Sequence, residues 1–375
     1  MKKLNGISIV IATKGRLLHL EKLLQSVLIA RNNFTGSSEV LIIDDSSEDE
    51  TKIIDSLCEK YSAQKYFFTP SVSGKRNYGS SKAQYDIILY LDSDCVASPN
   101  LLTEHYKMYS DDSIGGVAGL LIFTGEENRY WHVVDQSPFV VCFKLPGWLY
   151  EVPWTPTANF SIRKNLFTEI GEFDTDFPNK PGGEDVDLGL RLTKKGYKIR
   201  CSKTGIVYHA KDTWSHRTQM RKRVWHYGKA NYYLIKKHYD YSISCLPKKS
   251  IVHIIIFIMI LIMAIISQNP MLLGLFPIYL IADIIATAII FSRVNKKRKI
   301  TFYESIGIYN LKMINELGFI SESIKHNKLN YINRDMVYFD GQMTDILSDS
   351  AVNVWSLIIA LTIITTLVSI LISIS

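Results

Sequence analysis

Cysteine is scarce and scattered: five thiols (Cys58, Cys95, Cys142, Cys201 and Cys245) in 375 residues, with no C-x-x-C pair among them. That excludes a disulfide frame or a zinc ribbon and points to reduced thiols in a cytosolic domain. Cys95, beside two aspartates, reads as a small packing residue and not as a nucleophile. A large excess of one charge is also missing. The net charge is +7, and the basic clusters flank apolar segments, which favours an anionic membrane face over nucleic acid as the partner. No G-x-x-x-x-G-K-[ST] run is present, so a P-loop nucleotide site is excluded. Near the N-terminus, Lys2 and Lys3 precede only the short apolar run 7–12, too short for the core of a signal peptide.

What the chain does have is apolar content, at 47%. With a mean hydropathy near zero, this implies a soluble part averaged with a membrane part. The soluble part reads as strand and helix in alternation. Ile7–Ala12 is a buried strand, followed by Leu17, Leu20, Leu24, Val27 and Leu28 at helical spacing. Glu39–Ile43 is a second strand, then comes a helix from about Thr51 to Tyr61. Lys65–Thr69 is a third strand, leading to a loop at Ser73–Gly79 and a small-residue helix to Gln84. Ile87–Leu91 is a strand apolar enough to be buried on both faces. This alternation predicts a mostly parallel, twisted α/β sheet with helices on both faces and right-handed crossovers. The charged residues fall at the strand ends, where open sheets bind their ligands.

Ile87–Leu91 ends in Asp92-Ser93-Asp94. Residues two apart on extended chain point the same way, so Asp92 and Asp94 converge. A hard divalent cation, magnesium or manganese, is the natural partner of such a pair.

The order of these pieces resembles the family 2 glycosyltransferases with the GT-A nucleotide-sugar fold over residues 7 to about 230. The matching runs are Ile11–Arg16, Ile43–Thr51, Gly74–Gly79, Leu91–Asp94, Thr157–Arg163, Gly171–Asp174, Gly182–Asp185 and Tyr208-His209. The resemblance implies that Thr13, Arg16, Asp44 and Asp45 hold the nucleoside. One of the two aspartates would cap a helix and the other would read the base. Lys75 and Arg76 would meet the diphosphate, against the plainer reading of an exposed basic turn. It further implies that His209 completes the metal set of Asp92 and Asp94, and that Asp92 also touches the donor. Asp185 would be the catalytic base and Glu184 its positioning partner. The plainer reading of that pair is a helix N-terminal cap. Gly182 and Gly183 leave room for a ligand, and Gly183, Trp154 and Asn159 are nominated on the acceptor side. The processive synthases carry Q-x-x-R-W. Here Gln219 and Trp225 are spaced differently, which argues against processive synthesis through a channel.

Beyond the sheet domain, Ser215–Lys249 is basic and aromatic, as suits a segment along anionic headgroups. Ile251–Ser267 and Met271–Phe291 approach the ~20 apolar residues that span a bilayer, with a break at Gln268-Asn269-Pro270. Val352–Ser373 reads as a third span. Lysines and arginines on the flanks put the sheet domain in the cytosol. Asp283 inside the second span is a functional candidate or a partner for a polar group in the bundle. Ile306, Tyr309, Met313, Leu317, Ile320 and Ile324 form a helical apolar stripe.

The expected organisation is a cytosolic α/β GT-A domain over 1–240, a transmembrane hairpin over 241–292, an interfacial segment over 293–350 and a third span over 351–375. The expected function is inverting, metal-dependent transfer of a sugar from a UDP- or GDP-sugar to a lipid-linked or polyprenyl-phosphate acceptor at the cell membrane. The rival reading is a non-catalytic nucleotide-sugar sensor. A base at Asp185 speaks against it, since a sensor has no use for one.

Overall fold

The computed structural model of the chain describes residues 4–178, 182–245, 247–294 and 300–337, and towards the C-terminus 353–359, 361–362, 365–366 and 369. These fall into two compact units, one built on residues 4–127 and 138–216, the other on 128–137 and 217–337.

The first unit follows the expected alternation. Strand β1 (Gly6–Thr13), helix α1 (Leu17–Asn32), β2 (Ser37–Asp44), α2 (Glu48–Lys60), β3 (Gln64–Phe67), α3 (Val72–Lys82) and β4 (Ile87–Asp92) form its N-terminal half. Short β5 (Cys95–Ala97), α4 (Leu101–Met108) and long β6 (Ile114–Thr124) come next. Helix α5 (Arg129–Asp135) belongs to the second unit. The first unit resumes with α6 (Val141–Lys144), β7 (Glu151–Val152), β8 (Asn159–Arg163), α7 (Lys164–Glu169), α8 (Glu184–Lys194), β9 (Lys198–Ala210) and α9 (Asp212–Ser215).

The strands form one sheet in the order β3-β2-β1-β4-β8-β6-β9-β5, with β7 on β9. The pairings of β3, β2, β1 and β4 are all parallel, as the crossover helices require. From β8 onward direction alternates: β8 is antiparallel to β4 and β6, β9 is parallel to β6, and β5 and β7 are antiparallel to β9. The sheet is therefore mixed where a mostly parallel one was expected. Its core contains Val10, Leu41, Ile43, Ile88, Tyr90, Phe160, Ile162, Phe167, Phe173, Leu188 and Leu192, all buried. Each such aliphatic side chain contributes about 1.5–3 kcal/mol.

Two departures from the expected elements bear on the site. Lys75 and Arg76 lie inside α3, where a loop was expected; Ser71 caps the helix by accepting from Gly74 N at 2.9 Å. Gly79 is needed there for close packing, since a Cβ would sit 2.5 Å from Val10 Cγ1. The division between units falls at 216/217, where about 240 was expected.

The physical reason lies in α10 (Arg217–Lys237). It buries Met220, Val224, Gly228, Ala230, Tyr232, Leu234 and Ile235, and so is a core helix of the second unit as well as a basic one. It packs on α13 (Phe302–Lys325) with backbones nearly touching: a Cβ on Gly228 would fall 2.0 Å from Asn315 O, and one on Gly318 2.4 Å from Trp225 O. Strands β10 (Ser242–Ser244) and β11 (Arg334–Met336) pair antiparallel.

Helices α11 (Lys249–Ile266) and α12 (Leu275–Val294) are long and apolar enough to cross a membrane. At the break between them, Asn269 accepts from Met271 N at 3.1 Å and Gln268 is left-handed at φ 52°. Asp283 is buried with Lys249 (3.0 Å), and Tyr309 donates to its Oδ2 at 3.0 Å. His253 joins Tyr279 and Tyr309 at 2.8 and 2.7 Å. Residues 353–359 are helical, and Ser356 accepts from Lys249 at 2.7 Å. Most of the expected third span lies outside the described residues.

Candidate active site

The site is assembled by register. Thr13 pairs with Asp44 across β1 and β2, and Ala12 pairs with Asp92 across β1 and β4, so the polar strand ends line up along one rim. Gly15 (φ 60°) and Arg16 (φ 55°) turn the chain from β1 into α1 in the left-handed region, strained for arginine and free for glycine. The turn is tied to the next loop by Gly15 N donating to Ser46 Oγ at 2.7 Å.

The two loop aspartates have divided their tasks. Asp44 is buried and accepts from Ser46 N and Thr51 Oγ1, each at 3.0 Å, which shapes the entry to α2. Ser47 and Glu50 complete that entry as a capping box. Asp45 pairs with Lys75 and lies 3.6 Å from Lys14. Lys75 also donates to Thr13 O at 2.8 Å, so it joins the loop after β1 to the loop after β2.

Arg76 is buried and reaches in two directions. Nη1 donates to Glu184 at 2.8 Å and Nη2 to Asp92 at 3.3 Å, while its guanidinium faces the Phe173 ring at 5.5 Å. Phe173 is held by Asn77, whose amide donates to Phe173 O at 2.8 Å and accepts from its N–H at 3.0 Å. Glu184 in turn accepts from Gly182 N at 2.9 Å. The glycine pair Gly182 (φ 134°) and Gly183 (φ 95°) makes this approach to α8 sterically open. Asp185, half-buried in the first turn of α8, accepts only a local bond from Val186 N at 2.9 Å among those described. Its carboxyl is pushed up to about 7, first by burial and then by the Glu184 charge, with Arg76 opposing.

The D-x-D pair meets a histidine. His209 Nε2 lies 3.6 Å from Asp94 and 3.8 Å from Asp92. Nδ1 is 2.9 Å from Ala210 O, an atom that can only accept, so Nδ1 carries a proton and Nε2 is the atom turned to the carboxylates. Burial alone would lower the imidazole pKa; Asp92 and Asp94 outweigh it and hold it above its ordinary value. Arg16 donates to Asp94 Oδ2 at 2.5 Å. Ligand atoms of Asp94, Cys95 and His209 lie within 4.8 Å of one another. Oxygen, nitrogen and sulfur donors clustered this way fit a divalent cation.

Two acceptor-side nominees are placed differently from expectation. Trp154 is buried against α8, where a Cβ on Gly189 would fall 2.5 Å from Trp154 Cβ. Asn159 is fully buried and its amide is committed to the fold. Nδ2 donates to Leu120 O (3.1 Å) and Gly205 O (2.9 Å), and Oδ1 faces His105 Nε2 at 2.9 Å. Those carbonyls flank an irregularity where β6 steps from Gly119 to Leu120 while β9 steps from Ser202 to Ile206. Asn159 thus staples a bulge four residues ahead of His209, and its amide is spent on that task.

His105 is the residue that sequence reasoning missed. It is buried, bonded also to Ser161 Oγ at 2.8 Å, and kept neutral because burial lowers its pKa to about 4. No local pattern around it signals this, since both partners lie in β8. Trp148 and Tyr150, by contrast, are largely exposed, with Arg200 3.7 Å over the Tyr150 ring.

Residues 8–174 of the chain, most of the mixed α/β sheet of the first unit, match the model of glycosyl transferase family 2. Among curated proteins it is similar to a probable glycosyltransferase, YdaM, of Bacillus subtilis (24% identical; 63% of this chain, 58% of that protein). It is also similar to the O-antigen biosynthesis protein RfbC of Myxococcus xanthus (24%; 54% and 17%). A third is the validoxylamine A glucosyltransferase of Streptomyces hygroscopicus subsp. jinggangensis (25%; 52% and 53%). The chain thus spans little more than half the length of these relatives, or less. Among solved structures it resembles a mannosyltransferase of Pyrobaculum calidifontis in complex with GDP-Man and Mn2+ (14% identical; 63% of this chain, 65% of that one; TM-score 0.48).

Proposed function

We propose that the chain is a membrane-anchored, inverting, metal-dependent glycosyltransferase. It moves a sugar from a UDP- or GDP-sugar to a lipid-linked acceptor at the cytosolic leaflet. The observation that carries this reading is the path Glu184–Arg76–Asp92, in which an arginine bridges the neighbour of Asp185 at the start of α8 to the carboxylate ending β4.

Asp45, with Lys75 and Thr13 around it, is the base-reading position, and Asp44 supports the loop. Arg16, Lys75 and Arg76 supply positive charge for the diphosphate. Asp92, Asp94 and His209 would hold a divalent ion, manganese ahead of magnesium because an imidazole is among the donors. Such an ion supplies Lewis-acid stabilisation of the leaving diphosphate. Asp185 takes the proton from an acceptor hydroxyl. The freed oxygen forms the new bond to the anomeric carbon, the bond to the donor phosphate oxygen breaks, and the nucleoside diphosphate leaves with that electron pair.

A base whose pKa is raised towards neutrality serves a hydroxyl acceptor and is superfluous for a phosphate, which is already ionised. The reading therefore favours a lipid-linked glycan over a bare polyprenyl phosphate. Exposed Trp148 and Tyr150 offer faces on which a sugar ring can stack. For the membrane, the support is a run of exposed apolar side chains along α11, including Ile254, Ile258, Ile262 and Ile266, with Lys248 and Lys249 at its start and a basic run in the sequence after α12.

The test is release of nucleoside diphosphate from a panel of nucleotide sugars with extracted lipid-linked glycans. Turnover should require divalent metal. Donor binding without turnover on any acceptor would favour a sensor instead.

A further inference from the structure

The cation site holds one donor that a carboxylate–imidazole set does not need. Cys95 opens β5 and is the direct cross-strand partner of His209 in β9, so the two side chains leave the sheet on the same face. Both are buried, as is Asp94, and the ligand atoms of all three lie within 4.8 Å of one another. The thiol's contact to Ala158 O is weak, 3.9 Å, at the outer limit for a sulfur donor. Cys58, Cys142, Cys201 and Cys245 belong to no such group among the described residues.

Sulfur changes which ion the site prefers. Carboxylates suit magnesium and manganese, imidazole is tolerant, and a thiolate selects thiophilic ions. Zinc holds its donors about 2.0–2.3 Å away in a tetrahedron, which sets them about 3.5 Å apart. His209 and Asp94 already stand at 3.6 Å. The sulfur needs to close by about 1.3 Å at most to meet that spacing.

Resting on the metal reading above, we propose that Cys95 is a ligand to the same cation. The site then binds thiophilic divalent ions of the zinc class, in competition with manganese. On binding, the sulfur–metal bond forms and the thiol proton passes to solvent. Asp92, Asp94, Cys95 and His209 together would fill a tetrahedral ion's positions. A zinc-class ion would then leave none open for a diphosphate oxygen and would block the enzyme that manganese supports.

Cadmium serves as the probe, because a cadmium–thiolate bond has an ultraviolet charge-transfer band. Bound manganese is read separately by electron paramagnetic resonance, on the full chain in detergent. Wild type should develop the band with one equivalent of cadmium and release its manganese as it does so. Cys95→Ser, with Cys95→Ala as a second variant against misfolding, should bind manganese without the band. In these variants at least tenfold more cadmium should be needed to displace manganese. Manganese binding by wild type and variants with no Cys95-dependent band overturns this inference and leaves the metal reading standing. Absence of manganese binding in all of them overturns both.

Discussion

Replacing Asp185 by asparagine tests the proposed chemistry most directly. The change keeps volume and the acceptor atom that receives Val186 N, and removes only the ability to take a proton. Loss of a general base costs about 100- to 10,000-fold in kcat, which is about 3–5 kcal/mol of barrier. The wild-type pH profile should carry the same signature. With the carboxyl raised to about 7, roughly a tenth of it is ionised at pH 6 and roughly nine tenths at pH 8. Accordingly, kcat/KM for a hydroxyl acceptor should rise about tenfold over that span and level off above it, and the asparagine enzyme should be flat.

The shift also predicts stability with a definite sign. A carboxyl whose pKa is higher folded than unfolded weakens the fold as pH rises above its ordinary value. Asp185→Asn should therefore melt at or above the wild-type temperature at pH 8, which separates lost activity from unfolding. Nucleoside diphosphate release against pH, beside thermal melts, provides the assay. An asparagine variant within threefold of wild type on a hydroxyl acceptor, or a flat wild-type profile, would refute the assignment.

Three further outcomes are expected. His209→Ala and Asp94→Asn should each weaken manganese binding at least tenfold by equilibrium dialysis, and unchanged affinity would remove the metal site from these residues. Asn159→Leu strands His105 and the carbonyls of Leu120 and Gly205, so thermal and denaturant unfolding should show about 3 kcal/mol or more lost; a higher KM for acceptor at unchanged stability would instead restore it to the acceptor side. Lys249→Met leaves Asp283 buried without its cation and should cost about 3–5 kcal/mol, whereas Lys249→Met with Asp283→Leu should recover most of it; equal damage in both would mean the pair is not the cause.

Much of the first unit was legible because its signals are local. An apolar run that stops at Asp92-Ser93-Asp94 states both the strand and the polar end at which it stops. The alternation from β1 to β4 leaves one topology. What was not legible depends on distant partners. Strand direction after β4 is set by tertiary pairing, and nothing in Asn159–Arg163 says that it runs against β4. The run Ser73–Gly79 looked like a glycine loop, yet its Gly79 is there to let α3 close on Val10 and Ile43. Asn159 sat in a familiar motif, and its task became visible only with His105 and the bulge around it. On α10 the basic residues drew attention away from Met220, Val224, Ala230 and Leu234, which carry the packing.

The guanidinium of Arg76 has one further implication. Because it grips Glu184 with one nitrogen and Asp92 with another, the start of α8 and the tip of β4 behave as a single clamped piece. Whatever opens to let an acceptor in must pivot elsewhere, and the two glycines just before α8 are the natural hinge. Gly182→Ala should strain that pair, since Gly182 stands at φ 134°, and so disturb the bond from Gly182 N to Glu184 on which the clamp rests.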